Sequence, residues 1–314
     1  MQTNIDSARL PLPSVSSHAW RFRIERERFH VALSYLNRTR LLPATPRKDF
    51  PLTLERMRDL VLAERRFLES ERHEVSVAAR SVPKDPALFA GWFEDIRNGP
   101  GQFDPLFDYI AEKGSFEEAR WFLRRDIANQ VGFDDLIALA QVRMPEAVKL
   151  TLAQHYWGEV ERCECKNMHG PTLGRLAELM DVATTSTEAI EWESLAPANM
   201  LVGFAYSRRY AFQAIGAIGA VELTSSTRAP RILRVLDRLD VPKSASDSLG
   251  LHAAVGSGHW KRWRDNIAIP LVAAFPDAAA NIAEGALALF NASARMFRRY
   301  REHLGASAER AQIG

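Results

Sequence analysis

Nowhere in these 314 residues do β-branched and polar residues alternate between hairpin turns. What recurs is apolar spacing of three and four, punctuated by prolines, glycines and capping residues, and that pattern makes helices. Trp20, Phe22, Ile24, Phe29, Val31 and Leu33 mark an Arg-rich helix from His18 to Arg38, and a second runs from Leu52 to about Glu69. A short aromatic-rich helix spans Asp85 to Arg97. Ser115 with Glu118 three residues on is a capping box, opening a helix to about Val131. Gly132 stops it, and Asp134-Asp135 start the next, Leu136 to Val142. Pro145 fits the first turn of a helix ending near Glu161, and Pro171 opens one ending near Met180. Further helices read from Pro197 to Tyr206, Tyr210 to Leu223 and Arg231 to Leu239. Another carries the stretch Leu251–Trp263, and a long Ala-rich one runs from Asp277 to Leu304. The fold class is therefore all-α, and about ten helices suit a large bundle.

Residues 1–16 hold prolines and serines without a period, and Pro43 to Pro51 reads as a linker. The expected division is an N-terminal arm and helix over 1–50 and a helical domain over 51–314. With 46% hydrophobic and 25% charged residues the chain has ample material for a core. A formal charge of +2 argues against a nucleic-acid function built on a basic surface. Two cysteines give no disulfide framework and fit a reducing compartment. Cys163-x-Cys165 lacks the second pair of a structural zinc site. The start, MQTNIDSARLPLPSVSS, has no apolar signal core, and no run reaches the length of a membrane span. The expectation is a cytoplasmic protein without a membrane or nucleic-acid partner. No phosphate-binding glycine motif sits between a strand and a helix.

Chemistry concentrates in Leu251–Trp263, LHAAVGSGHWKRW. At about 100° per residue, His252 and His259 point within about 20° of each other on a helix, and Gly256 lies between them on the same face. Their axial separation of about 10 Å suits a pair of ions about 3.5–4 Å apart better than one ion. His155 and Glu159 share a helical face at i and i+4. His169 follows ten residues after Glu159, beyond a bend. Glu222 lies within the apolar run AFQAIGAIGAVEL, where a buried carboxylate needs a partner, an arginine or a metal among the choices. Helical bundles build metal sites by projecting such ligands inward from facing helices. Imidazole with carboxylate suits iron, manganese or zinc.

Five segments come in a familiar order. They are Phe133–Gln141, Tyr156-Trp157-Gly158-Glu159, Met168-His169-Gly170-Pro171, Gly216–Leu223, and Leu251-His252 with His259. In this the chain resembles the iron-containing redox enzymes of the heme-oxygenase-like fold, the heme-oxygenase-like di-iron oxidases, from about residue 115 onward. The resemblance implies a heme-oxygenase-like helical bundle with an N-terminal helical extension, holding two Fe(II) ions, or one, and activating O2. It implies Glu159, His169, His252 and His259 as metal ligands, with Asp126 at a position where the family generally has Glu. The chain departs from the pattern at Gly256, Gly158 and His155, where the family has Asp, Asp and Asn. A missing carboxylate leaves water, substrate or His155 to fill its position, or leaves a mononuclear centre. His155, Gly256 and Glu222 are thus the substitute ligands or pocket residues. The expected function is an iron-dependent oxidase or oxygenase of a small amine, amino acid or carboxylic acid in a biosynthetic pathway, with homodimerisation as the expected self-association. The competing expectation is a non-catalytic relative that binds a ligand or partner protein.

Overall fold

The computed structural model describes residues 23–43, 50–96, 104–130, 132–159, 169–182, 187–242 and 258–311. Among them there is no strand, as the periodicity requires. The first described helices are α1 (Arg23–Leu41) and α2 (Phe50–Arg80), followed by α3 (Pro86–Asp95) and α4 (Pro105–Glu112). Both short helices begin with the same device. The carboxylates of Asp85 and Asp104 accept from backbone N–H groups of the first turn, and a proline sits at the first helical position. The sequence reading misses α4 although Asp104-Pro105 repeats the signal of Asp85-Pro86.

Next come α5 (Phe116–Gln130), α6 (Phe133–Ala140), α7 (Glu146–Glu159) and α8 (His169–Leu179). The capping box forms as expected. Ser115 N–H donates to Glu118 Oε2 at 2.7 Å, and Glu118 N–H donates to Ser115 Oγ at 3.2 Å. Helix α9 (Trp192–Tyr206) starts five residues before Pro197, and it is buried almost all round. A helix without a polar face is a central one, and α9 packs against α1, α6, α10 and the last helix.

The sequence suggests two helices between Tyr210 and Leu239, and the structure makes one, α10 (Ala211–Arg238), through Pro230. Proline removes a ladder hydrogen bond and crowds the preceding turn. Here Arg231 Nη1 donates to Thr227 O at 2.7 Å, and burial of the flanking turns outweighs the loss. The next helix, α11, spans 258–274. It is α-helical over 258–263, widens to a π-turn at Arg264–Ala268 and resumes as Ile269–Ala274. Pro270 has no N–H for the carbonyl four residues back, which accounts for the wider turn before it. The chain closes with α12 (Ala278–Ala311).

Two large apolar cores result, beside a small cluster of Val31, Ile190 and Leu195. The larger joins α1, α2, α3, α6, α7, α9, α10, α11 and α12. The smaller lies between α4, α5, α8 and the C-terminal halves of α10 and α12, around Phe107, Phe122 and Phe297. Helices α10 and α12 run through both. They touch through backbone: a Cβ on Gly216 would lie 1.8 Å from Ile282 O, and one on Gly285 would lie 1.9 Å from Gln213 O. No described helix is long and apolar enough to cross a membrane.

Candidate metal centre

Three buried polar side chains meet at the edge of the larger core, one each from α7, α10 and α11. On α7 the buried stripe is Val148, Leu152 and then His155, at i, i+4 and i+7. The imidazole therefore occupies the position where periodicity calls for another apolar residue. On α10, Glu222 extends the buried face of Ile215, Ile218 and Gly219. On α11, His259 precedes Trp260 and Trp263, both buried.

Their geometry is close. His155 Nε2 lies 3.0 Å from Glu222 Oε1, and His259 Nδ1 lies 3.7 Å from Glu222 Oε2. The second distance is too long for a hydrogen bond. The two imidazole rings are 4.7 Å apart at 61°, and the Trp263 ring stands edge-on to His155 at 5.4 Å. One ligand atom from each of His155, Glu222 and His259 lies within 4.8 Å of the others. Burial pushes the Glu222 carboxyl up, but the imidazoles of His155 and His259 pull harder the other way and hold it below the usual carboxylate range. It is a carboxylate, 2% exposed, whose Oε2 accepts no hydrogen bond among the described residues. A buried carboxylate oxygen left in that state is costly, and a cation between the three groups would satisfy it. Zinc bonds such atoms at about 2.0–2.2 Å, and the three candidate ligand atoms lie within 4.8 Å of one another. The donor set of two imidazoles and one carboxylate fits iron.

The structure brings together His259, which the stripe in the sequence marks, with His155 and Glu222, which sequence reasoning holds as substitutes. Glu159 ends α7 and His169 opens α8, and their side chains lie outside the described residues. His252 and Gly256 lie outside the described residues altogether. Asp126, expected in the metal shell, instead accepts from Arg228 Nη2 at 2.8 Å in the smaller core, with the guanidinium over the rings of Phe107 and Phe297. It is not one of the three clustered groups.

A family model described as iron-containing redox enzyme matches residues 120–294, more than half of the chain. The chain belongs to that family. All three clustered ligand candidates lie within the match, whereas α1 to α4 precede it. Among curated proteins none matches the sequence. Family membership makes the chain an iron-containing oxidoreductase in the general sense and agrees with the all-helical, heme-oxygenase-like architecture. Sequence reasoning missed two residues beside the centre, Gly219 and Trp263. Both stand in stretches it singled out, GAIGA and HWKRW, but their pairing across two helices shows only in the structure.

Proposed function

We propose that this member of the family is an iron-dependent oxidase or oxygenase that uses O2 on a small organic substrate, an amine, amino acid or carboxylic acid, in a biosynthetic pathway. The observation that carries the reading is the buried trio His155, Glu222 and His259. Two imidazoles and one carboxylate would hold an iron ion and would leave room for O2 or substrate beside them. Bound iron supplies the capacity to bind and reduce O2. Glu222 contributes the negative charge that offsets part of the ion's own. His155 and His259 offer ring nitrogens beside the two oxygens of that carboxylate, Nε2 near Oε1 and Nδ1 near Oε2. Trp263, fully buried, stands beside the His155 ring at 5.4 Å and makes that side of the centre apolar. The trio by itself accounts for one ferrous ion. Glu159, His169 and His252 are the residues with which the chain would hold a second.

The test is anaerobic addition of ferrous iron to apo protein, with metal content and melting temperature read together. Metal that binds only the folded state raises stability by about 2.7 kcal/mol at a hundredfold excess over Kd. The parent should take up iron, melt higher with it and consume O2 when reduced. Glu222→Gln should lose most of the iron and the thermal shift. Equal iron uptake by parent and variant, or none by the parent, refutes the proposal.

A further inference from the structure

The centre is held by something other than its own ligands. Trp263 is fully buried one turn after His259 on α11, and its indole Nε1 donates to Ile215 O on α10 at 3.0 Å. The Nε1 side of the ring lies against Gly219. A Cβ there would lie 2.5 Å from Nε1 and 2.7 Å from Cδ1, so only glycine leaves room for the indole. The edge of the same ring meets His155 of α7 at 5.4 Å. Ile215, Gly219 and Glu222 stand at i, i+4 and i+7 on α10, one face of the helix. His259 and Trp263 stand at i and i+4 on α11. The contacts pair 222 with 259 and 219 with 263, a single antiparallel register.

From these contacts we infer that Trp263, seated in the hollow at Gly219, is the positioning residue of the centre. It locks α10 against α11 in the register that sets His259 opposite Glu222, and it braces the His155 ring at 5.4 Å. The π-turn begins at the residue after Trp263, so the helix is regular through His259 and Trp263 and adjusts only beyond them. The inference rests on the metal reading of the trio, since what is positioned is the ligand set. It adds that affinity and coordination geometry depend on a residue that donates no ligand atom. Partners that orient metal ligands without touching the metal are worth about ten- to a hundredfold in affinity.

Co(II) is the probe, because its visible absorption reports coordination geometry directly. Apo parent, Trp263→Phe, Gly219→Ala and Trp192→Phe would be titrated with Co(II) without oxygen, alongside far-ultraviolet circular dichroism and melting curves. Trp192→Phe is an equal truncation beside His30 on α9, where Trp192 stacks on that imidazole. The expected result is a loss of Co(II) affinity of about tenfold or more in Trp263→Phe, with altered absorption bands and retained helicity. Gly219→Ala should move affinity and bands the same way, because it displaces the indole without truncating it. Trp192→Phe should lower the melting temperature and leave both metal readouts in place. Should Trp263→Phe fail to fold, Gly219→Ala decides the matter alone. Parent-like affinity and bands in Gly219→Ala, or an equal loss in Trp192→Phe, overturn the positioning role while the metal site stands. A parent that binds no Co(II) overturns the metal reading and the inference together.

Discussion

Gly216→Ala adds one methyl group at the place where α10 and α12 lie closest. The new carbon would sit 1.8 Å from Ile282 O, 2.7 Å from its carbonyl carbon and 3.0 Å from Ala286 N. All three neighbours are backbone, so no side chain can swing away. Carbon needs about 3.5 Å from a non-bonded neighbour, and the two helices must part locally by roughly 1.5 Å. A radial gap of about 0.5–1 Å already forfeits a quarter to a half of the dispersion between facing atoms. Overpacking of this kind costs about 1–3 kcal/mol, occasionally more. The backbone-on-backbone contact puts Gly216 at or above the upper end. Alanine returns about 1 kcal/mol of helix propensity, leaving a net loss of about 2–3 kcal/mol. With an unfolding entropy of about 2.1 cal/mol/K per residue, a chain of 314 residues shifts by about 1.5 °C per kcal/mol, so the melting temperature should fall by about 3–5 °C. Glu222 lies six residues along the same helix, so metal affinity should fall with it. The control is Gly91→Ala on α3, where a Cβ meets nothing within 4 Å. There the propensity gain stands alone, and stability should rise by about 0.5–1 kcal/mol. Thermal melts of the three apo proteins decide it. A Gly216→Ala protein as stable as the parent would mean that α10 and α12 do not approach through these glycines.

Two further outcomes follow from buried charge. Burial, helped by Arg295 and Arg26, lowers the pKa of His30 from 6.5 to about 3. Between those values the unfolded chain binds a proton that the folded chain does not, so stability is full above pH 6.5 and falls as pH drops, by about 1.4 kcal/mol per unit. Urea unfolding at pH 6 and pH 5 should show that extra loss in the parent and not in His30→Phe; parallel slopes would refute it. Glu64→Ala strands Arg40, whose guanidinium gives two hydrogen bonds to that carboxylate and whose side chain is 3% exposed. Breaking such a pair costs about 3–5 kcal/mol. Asp277→Ala, which breaks the exposed pair with Lys84, should leave the melting temperature where it was. Equal melting temperatures for the two variants would refute the distinction.

The fold class was legible because helices are written locally. Caps, glycine stops and apolar spacing act within a few residues, so Ser115 with Glu118 and Gly132 before α6 could be read directly. Where a local rule met a tertiary force, reading failed. Pro230 looks like a terminus, yet the buried face of α10 continues through it, and packing outweighs one lost hydrogen bond. The iron-containing redox family was legible through its pattern of segments, now matched over 120–294.

Which groups form the cluster was another matter. His155 and Glu222 are 67 residues apart, and no spacing rule connects them. They meet because α7, α10 and α11 bury neighbouring faces, and that in turn depends on Gly216 against Ile282 and on Trp263 over Gly219. Asp126 shows the same limit from the other side, since packing of the smaller core hands it to Arg228. The sequence alone determined that the chain is helical, where most helices start and stop, and which imidazoles and carboxylates were available. The tertiary structure decided which of them meet, because contacts between helices are fixed by the shapes of whole faces, and those shapes are completed only when the helices pack.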